Sequence, residues 1–125
     1  MTAIYQANDN IALITIDNLP INSMGLATRE AIATVLKSAI ADDTIKAVVI
    51  TGANGVFSGG ADIREFTTPM TMQSPSLHDL IATFEASGKP VIAAINGVCM
   101  GGGTEISLGS HYRVAAPGVM IGSPE

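Results

Sequence analysis

Two glutamates near the end of the chain have the residue type and the setting for proton chemistry. Glu105 comes two positions after the glycine triplet 101–103, and Glu125 is the last residue. Carboxylates are common proton carriers in enzymes. Glycine amides at the start of a helix are unpaired and lie at the positive end of the helix dipole, so they can hold an anion. Together these features predict a reaction in which negative charge develops on a carbonyl oxygen while carboxylates beside it move protons.

The elements that must position these residues follow from the apolar periodicity, which predicts an α/β fold. In chain order, the predicted elements are strands 4–7 and 11–17, helix 26–41, strand 46–51, helix 76–86, strand 91–95, a short helix after Gly103 and strand 112–115. Helix 26–41 is predicted to bury its apolar side and to turn Arg29, Glu30 and Lys37 to the other face. Segment 52–60 is predicted to be a glycine-rich loop, and segment 67–75 to be irregular.

Composition excludes several classes of protein. The chain has 125 residues, of which 47% are hydrophobic and 14% charged, with a net charge of −5. The six basic residues are scattered, which argues against a nucleic-acid partner. No apolar run approaches the ~18 residues that a membrane span needs, and no signal peptide is recognisable. His78, His111 and Cys99 lack metal-ligand spacing, so no metal site is predicted, and Cys99 is expected to be a small core residue.

Three ordered motifs carry a family resemblance. FSGGADIREF (57–66), MGGGTEISLGSHYRVA (100–115) and the final GSPE resemble the enoyl-CoA hydratase/isomerase (crotonase) family. They are most similar to the N-terminal hydratase part of bifunctional enoyl-CoA hydratase/3-hydroxyacyl-CoA dehydrogenase proteins. The resemblance implies a crotonase-type ββα spiral. Because family members continue past the second glutamate, residues 1–125 are expected to be the N-terminal portion of a single domain that is truncated at its C-terminus.

The resemblance also implies roles for individual residues. The family's two catalytic carboxylates fall on Glu105 and Glu125, and its two oxyanion-hole amides fall on Ala61 and Gly102. Substrate-binding positions fall on Ile21, Ser23, Gly60, Asp62, Ile63, Arg64, Gly101 and Pro124. Of these, Arg64 is the expected partner of a CoA phosphate, although an arginine that is only solvated fits the sequence equally well.

The activity implied by the resemblance is hydration of trans-2-enoyl-CoA to 3-hydroxyacyl-CoA in fatty-acid β-oxidation. Two alternatives stay open: a Δ3,Δ2-enoyl-CoA isomerase, which can work with one carboxylate, and a catalytically incompetent fragment or CoA-binding module. The isolated 125 residues are expected to be inactive. The expected partner is an acyl-CoA thioester. A homo-oligomer or contacts with further domains are expected in a longer parent protein.

No cofactor is expected within this segment, and NAD enters only if a dehydrogenase domain follows it. The expected location is cytoplasmic, or peroxisomal in a eukaryote.

Overall fold

The structure is a computed structural model that describes residues 2–123, and within them the chain forms eight strands and three α-helices. The strands are β1 (Ala3–Asn8), β2 (Ile11–Ile16), β3 (Ala47–Gly52), β4 (Val56–Ser58), β5 (Val91–Ile95), β6 (Val98–Met100), β7 (Tyr112–Ala115) and β8 (Ile121–Gly122). The helices are α1 (Leu26–Ala41), α2 (Leu77–Ala86) and α3 (Gly102–Gly109). Two short 3-10 segments, Ile63–Glu65 and Pro69–Thr71, lie between β4 and α2.

The strands form two sheets. The larger has the order β1-β2-β3-β5-β7, and the smaller has the order β4-β6-β8. β1 and β2 are an antiparallel hairpin, and the other neighbouring pairs are parallel. Parallel neighbours need crossover connections, and α1, α2 and α3 lie in the chain between successive strands of the larger sheet. The hairpin, helix α1 and strands β3, β5 and β7 confirm the predicted elements to within about two residues at each end.

The core lies between the larger sheet and the apolar faces of the helices. In α1, Ile32, Leu36 and Ala39 are at most 1% exposed, and the helix packs against β1 and β2. These positions have the helical spacing that the sequence showed. Burial of one such large aliphatic side chain contributes about 1.5–3 kcal/mol. Among the described residues, no helix is long and apolar enough to cross a membrane.

The structure differs from the sequence predictions in three details. The predicted loop 52–60 contains strand β4, and strand β6 was not predicted at all. Both strands have three residues, which is too short for an alternating pattern to be read. Arg29 was predicted to lie on the exposed face of α1 but is only 4% exposed, because the segment after β4 folds over the N-terminal end of this helix.

Helix α2 begins with a capping box. The Ser76 hydroxyl accepts a hydrogen bond from the Asp79 amide at 3.1 Å, and the Asp79 carboxylate accepts one from the Ser76 amide at 2.8 Å. The bond from the Ser76 amide is the main cause that lowers the pKa of the Asp79 carboxyl, and a bond from the Ser74 hydroxyl adds to it. The helix start is therefore fixed by local side chains.

Replacement of this cap gives a prediction on stability. We expect Ser76→Ala to lower the free energy of unfolding by about 1 kcal/mol, because one amide at the start of α2 loses its acceptor. Chemical denaturation of the complete natural polypeptide measures this difference. Ser38→Ala is the matched control, since Ser38 lies on the exposed side of α1 and bonds only to the Thr34 carbonyl. Equal stabilities of the two variants would contradict the capping role.

Candidate active site

Two glycine-rich backbone segments, 59–61 and 101–103, lie against each other at the centre of the candidate site. Gly60 has φ +108° and Gly101 has φ +50°, a region that favours glycine. A methyl group added at Gly60 would lie 3.1 Å from the Met100 carbonyl oxygen. One added at Gly102 would lie 3.4 Å from the Ala61 amide nitrogen. The absence of side chains thus lets the two segments touch.

This contact places two unpaired amides close together. Within residues 2–123, neither the Ala61 amide nor the Gly102 amide has a hydrogen-bond acceptor. Gly102 is the first residue of α3, where helix amides have no partner inside the helix. Unpaired donors of this kind are suited to a ligand oxygen that carries negative charge.

The segment that carries Ala61 is held in place by hydrogen bonds that involve buried polar side chains. The Ser58 hydroxyl donates to the Asn22 carbonyl at 2.8 Å and accepts from the Gly60 amide at 3.2 Å. The Gly60 carbonyl accepts from the Met24 amide at 2.8 Å. Asn22 in turn donates through its side chain to the carbonyl groups of Ala53 and Val56. Sequence reasoning missed Asn22 and Ser58 because nothing local marks a polar residue as buried.

The start of α3 is fixed from the opposite side. The buried Thr104 hydroxyl is within hydrogen-bond distance of the carbonyl oxygens of Cys99 and Gly122. These contacts join α3 to β6 and β8. Gly103 packs directly on Ser58, where an added methyl group would lie 2.7 Å from the carbonyl oxygen. Cys99 is fully buried, as predicted for a core residue, and burial raises the pKa of its thiol.

A cavity of about 480 Å³ opens beside the amide pair and is lined by both Ala61 and Glu105. This volume falls in the usual range for small-molecule sites. Glu105 lies in the first turn of α3, is exposed, and projects into this space. The apolar part of the lining comes from Met24, Phe66, Met72 and Leu77. The structure therefore places Glu105 and Ala61 at one cavity and adds side chains that sequence reasoning had not assigned.

His78 is one of these additions. It is exposed in the first turn of α2 and lines the cavity, and sequence analysis had assigned it no site. Only the fold brings α2 over the same space as α3.

The predicted substrate-binding residues are distributed over several places. Asp62 lines the cavity, whereas Ile63 is 75% exposed on the outside of its 3-10 segment. Arg64 forms an exposed ion pair with Asp62 at 2.8 Å, and its hydrogen bonds are the main cause that lowers the pKa of the Asp62 carboxyl. Ile21 and Ser23 do not line the cavity. Their segment is held by the bond from the Gly59 amide to the Ile21 carbonyl.

Two predicted site residues, Pro124 and Glu125, lie outside the described residues. Within residues 2–123, no group of three or more His, Cys, Asp or Glu side chains could hold a metal ion.

The close contact at α3 gives a second stability prediction. We expect Gly103→Ala to lower the free energy of unfolding by about 1–3 kcal/mol, because the added methyl group meets the backbone of Ser58, which cannot move away alone. Gly102→Ala is the matched comparison, since its methyl group meets the end of the flexible Leu77 side chain at 2.9 Å. Gly102→Ala should lower the free energy of unfolding by clearly less than Gly103→Ala does in the same denaturation experiment. The reverse order would show that α3 is not seated on Ser58 as described.

The fold and the site define a class of protein: a crotonase-type α/β spiral with an amide pair beside a carboxylate-lined cavity. The enoyl-CoA hydratase/isomerase family matches residues 6–125. The chain belongs to this family.

Individual relatives agree with this membership. The chain is 47% identical over 116 residues to the peroxisomal bifunctional enzyme of Danio rerio, covering 93% of this chain and 16% of that protein. It is 39% identical over 131 residues to the glyoxysomal fatty acid beta-oxidation multifunctional protein MFP-a of Brassica napus, covering 99% of this chain and 18% of that protein. The crystal structure of enoyl-CoA hydratase from Thermoplasma volcanium superposes with a TM-score of 0.91 at 30% identity, covering 100% of this chain and 52% of that one. The chain thus spans under a fifth of these two curated relatives and about half of the solved hydratase.

Proposed function

We propose that this chain is part of an enoyl-CoA hydratase that adds water to trans-2-enoyl-CoA and forms 3-hydroxyacyl-CoA. The observation that carries the proposal is the unpaired amide pair, Ala61 and Gly102, beside a cavity that Glu105 lines. An acyl-CoA substrate presents one thioester carbonyl oxygen, and two converging N–H donors fit one such oxygen. Family membership and the names of the relatives support the same substrate class.

The mechanism follows from this geometry. The thioester oxygen accepts hydrogen bonds from the Ala61 and Gly102 amides, which polarise the conjugated double bond. A glutamate takes a proton from water while the hydroxyl oxygen bonds to the β-carbon, and electron density moves to the thioester oxygen as an enolate. The enolate then collapses and takes a proton from a carboxylic acid at its α-carbon, so that one water is added in total. Each amide contributes about 3–4 kcal/mol to the stabilisation of such an oxyanion.

We assign the proton transfers to Glu105 and Glu125. The apolar lining around Met24, Met72 and Leu77 suits the acyl chain. The strip formed by Ile21, Ser23, Gly60, Asp62, Ile63, Arg64 and Gly101, with Pro124, is the proposed binding surface for the CoA portion. Arg64 is exposed but already has a carboxylate partner, Asp62, so a phosphate would have to share the guanidinium with that carboxylate or replace it.

The wider setting is also part of the proposal. Hydration neither oxidises nor reduces the substrate, so this segment needs no redox cofactor, and NAD belongs to a dehydrogenase domain if the complete polypeptide has one. The named relatives support a role in fatty-acid β-oxidation, with a peroxisomal location in a eukaryote and a cytoplasmic one otherwise. Residues 1–125 are proposed to be the N-terminal portion of one crotonase-like domain. Further domains or copies of the chain would then cover part of its surface.

The test is hydration of crotonyl-CoA by the complete natural polypeptide, followed by loss of the absorbance of the conjugated thioester. Glu105→Gln and Glu125→Gln should each lower kcat by about 10²–10⁴, because glutamine keeps the shape of the side chain and removes the proton transfer. Binding of a saturated acyl-CoA should persist in both variants. Glu30→Gln, on the exposed side of α1, is the control and should leave turnover unchanged. A wild type that binds acyl-CoA but never hydrates it would refute the hydratase.

The isomerase of the same family is the second candidate. Glu105 lines the cavity, and one carboxylate suffices for a shift of the double bond. Loss of hydration in both glutamine variants supports the hydratase. If only Glu105→Gln abolishes turnover and a 3-enoyl-CoA is converted faster than crotonyl-CoA, the isomerase is the better description. Binding without either reaction would indicate a CoA-binding module.

The isolated 125 residues give a further prediction. Five large apolar side chains on α3, on β7 and at or just before the start of β8 are each at least 48% exposed: Leu108, Tyr112, Val114, Met120 and Ile121. Exposed apolar surface promotes association. We expect residues 1–125 alone to hydrate crotonyl-CoA at least about a hundredfold more slowly than a longer polypeptide that carries them, because a catalytic group misplaced by about 1 Å can cost about a hundredfold in rate. Size-exclusion chromatography and initial rates measure both properties, and equal rates would contradict this expectation.

A further inference from the structure

We infer that Arg29 and Glu65 form a buried clamp that positions segment 66–76, one wall of the cavity, and thereby sets how strictly the cavity discriminates between acyl-chain lengths. The inference rests on the proposed function for its substrate class. The mechanism above gives neither residue a role in proton transfer. Sequence analysis proposed neither residue for the site, and it assigned Arg29 to the exposed face of α1.

Segment 66–76 is not held by a hydrophobic anchor. None of its eleven side chains is buried, and Phe66 and Met72 are 59% and 81% exposed. Nevertheless Phe66, Thr71, Met72 and Ser76 line the cavity. A wall without buried side chains must be fixed by polar contacts if it is to have a defined position.

Arg29 supplies these contacts. Its guanidinium donates to three carbonyl oxygens of the segment: Pro75 at 2.7 Å, Met70 at 2.6 Å and Gln73 at 3.2 Å. The planar fork of a guanidinium can span several acceptors, which one ammonium cannot do in the same way. Arg29, a residue of helix α1, thus bonds to segment 66–76, and its partner Met70 follows it by more than forty positions.

Glu65 completes the clamp. Its carboxylate lies 3.5 Å from the Arg29 guanidinium, and both residues are buried, at 8% and 4% exposure. The Glu65 carboxylate also accepts a hydrogen bond from the Leu26 amide at the start of α1. This helix has no capping side chain at its own N-terminus. The Glu65 carbonyl oxygen accepts hydrogen bonds from the hydroxyl groups of Thr68 and Thr71. The pair therefore joins the helix start to the wall.

The same guanidinium also reaches the amide pair. Arg29 donates to the Met24 carbonyl at 2.9 Å, and the Met24 amide donates to the Gly60 carbonyl at 2.8 Å. Gly60 directly precedes Ala61. The distance between the wall and the Ala61 amide is therefore set through one buried side chain. Arg29 and Glu65 are positioning residues that act through the wall.

The experiment compares Arg29→Gln, Arg29→Lys and Glu65→Gln in the complete natural polypeptide, with Lys37→Gln as control. Lys37 is an exposed cation on the same helix. The first readout is the ratio of kcat/KM for crotonyl-CoA and trans-2-decenoyl-CoA. The second is hydrogen–deuterium exchange of segment 66–76, whose amides at Thr68 and Met72 are bonded in the intact structure.

Arg29→Gln should move the chain-length ratio at least threefold towards unity and raise exchange in segment 66–76. Most of the kinetic change should lie in KM for the long substrate, with kcat for crotonyl-CoA changed less. Arg29→Lys keeps the charge and should give a smaller change in both readouts, and Glu65→Gln should resemble it. Lys37→Gln should match the wild type. Should Arg29→Gln fail to fold by circular dichroism, Arg29→Lys and Glu65→Gln carry the test.

Unchanged exchange in the folded variants would overturn the clamp, and raised exchange with an unchanged ratio would overturn its role in chain-length discrimination. If the wild type hydrates neither substrate, the proposed function fails separately. The clamp is then judged from exchange together with the affinities for butyryl-CoA and decanoyl-CoA. Loss of the difference between these affinities in Arg29→Gln supports it, and equal differences in variant and wild type overturn it.

Discussion

The site depends on one steric constraint: two backbone segments with unpaired amides must touch. Gly60 and Gly101 satisfy it because both have a positive φ, where any other residue would strain the backbone, and a side chain at Gly60 would also press on the Met100 carbonyl. Everything around them keeps this contact in place. Strands β4 and β6 run parallel and deliver the two segments to the same edge of the smaller sheet, and α3 begins where β6 ends.

The molecule uses different forces for its scaffold and for its site. The scaffold is an apolar core in which α1 packs on the larger sheet. The loops of the site are held by buried polar groups instead: Ser58 and Asn22 support the segment of Ala61, and Arg29 with Glu65, which themselves line the cavity, hold segment 66–76. Hydrogen bonds have direction, so they define the position of an irregular backbone more narrowly than apolar contacts do. A buried pair of charges costs desolvation energy, and it is better explained by positioning than by stability.

Membership in the enoyl-CoA hydratase/isomerase family and the fold leave the reaction to be decided by the site. In the proposed reaction, the amide pair stabilises negative charge on a thioester carbonyl oxygen without choosing what happens at the carbon atoms. The proposal gives that choice to the carboxylates. It gives the acyl-chain range to the cavity wall, which is a separate part of the structure with its own supports. Reaction type and substrate range can therefore change independently within one fold.

The sequence by itself determined the local features. Apolar periodicity specified the hairpin, helix α1 and strands β3, β5 and β7, and the glycine-rich motifs identified the family. The tertiary structure alone decided which polar residues are buried. Arg29 looked like a surface residue, and His78 had no assigned site, because the partners of both come from distant segments. Helical spacing reports which face of a helix is apolar, but a chain segment that later folds over the polar face leaves no trace in that spacing.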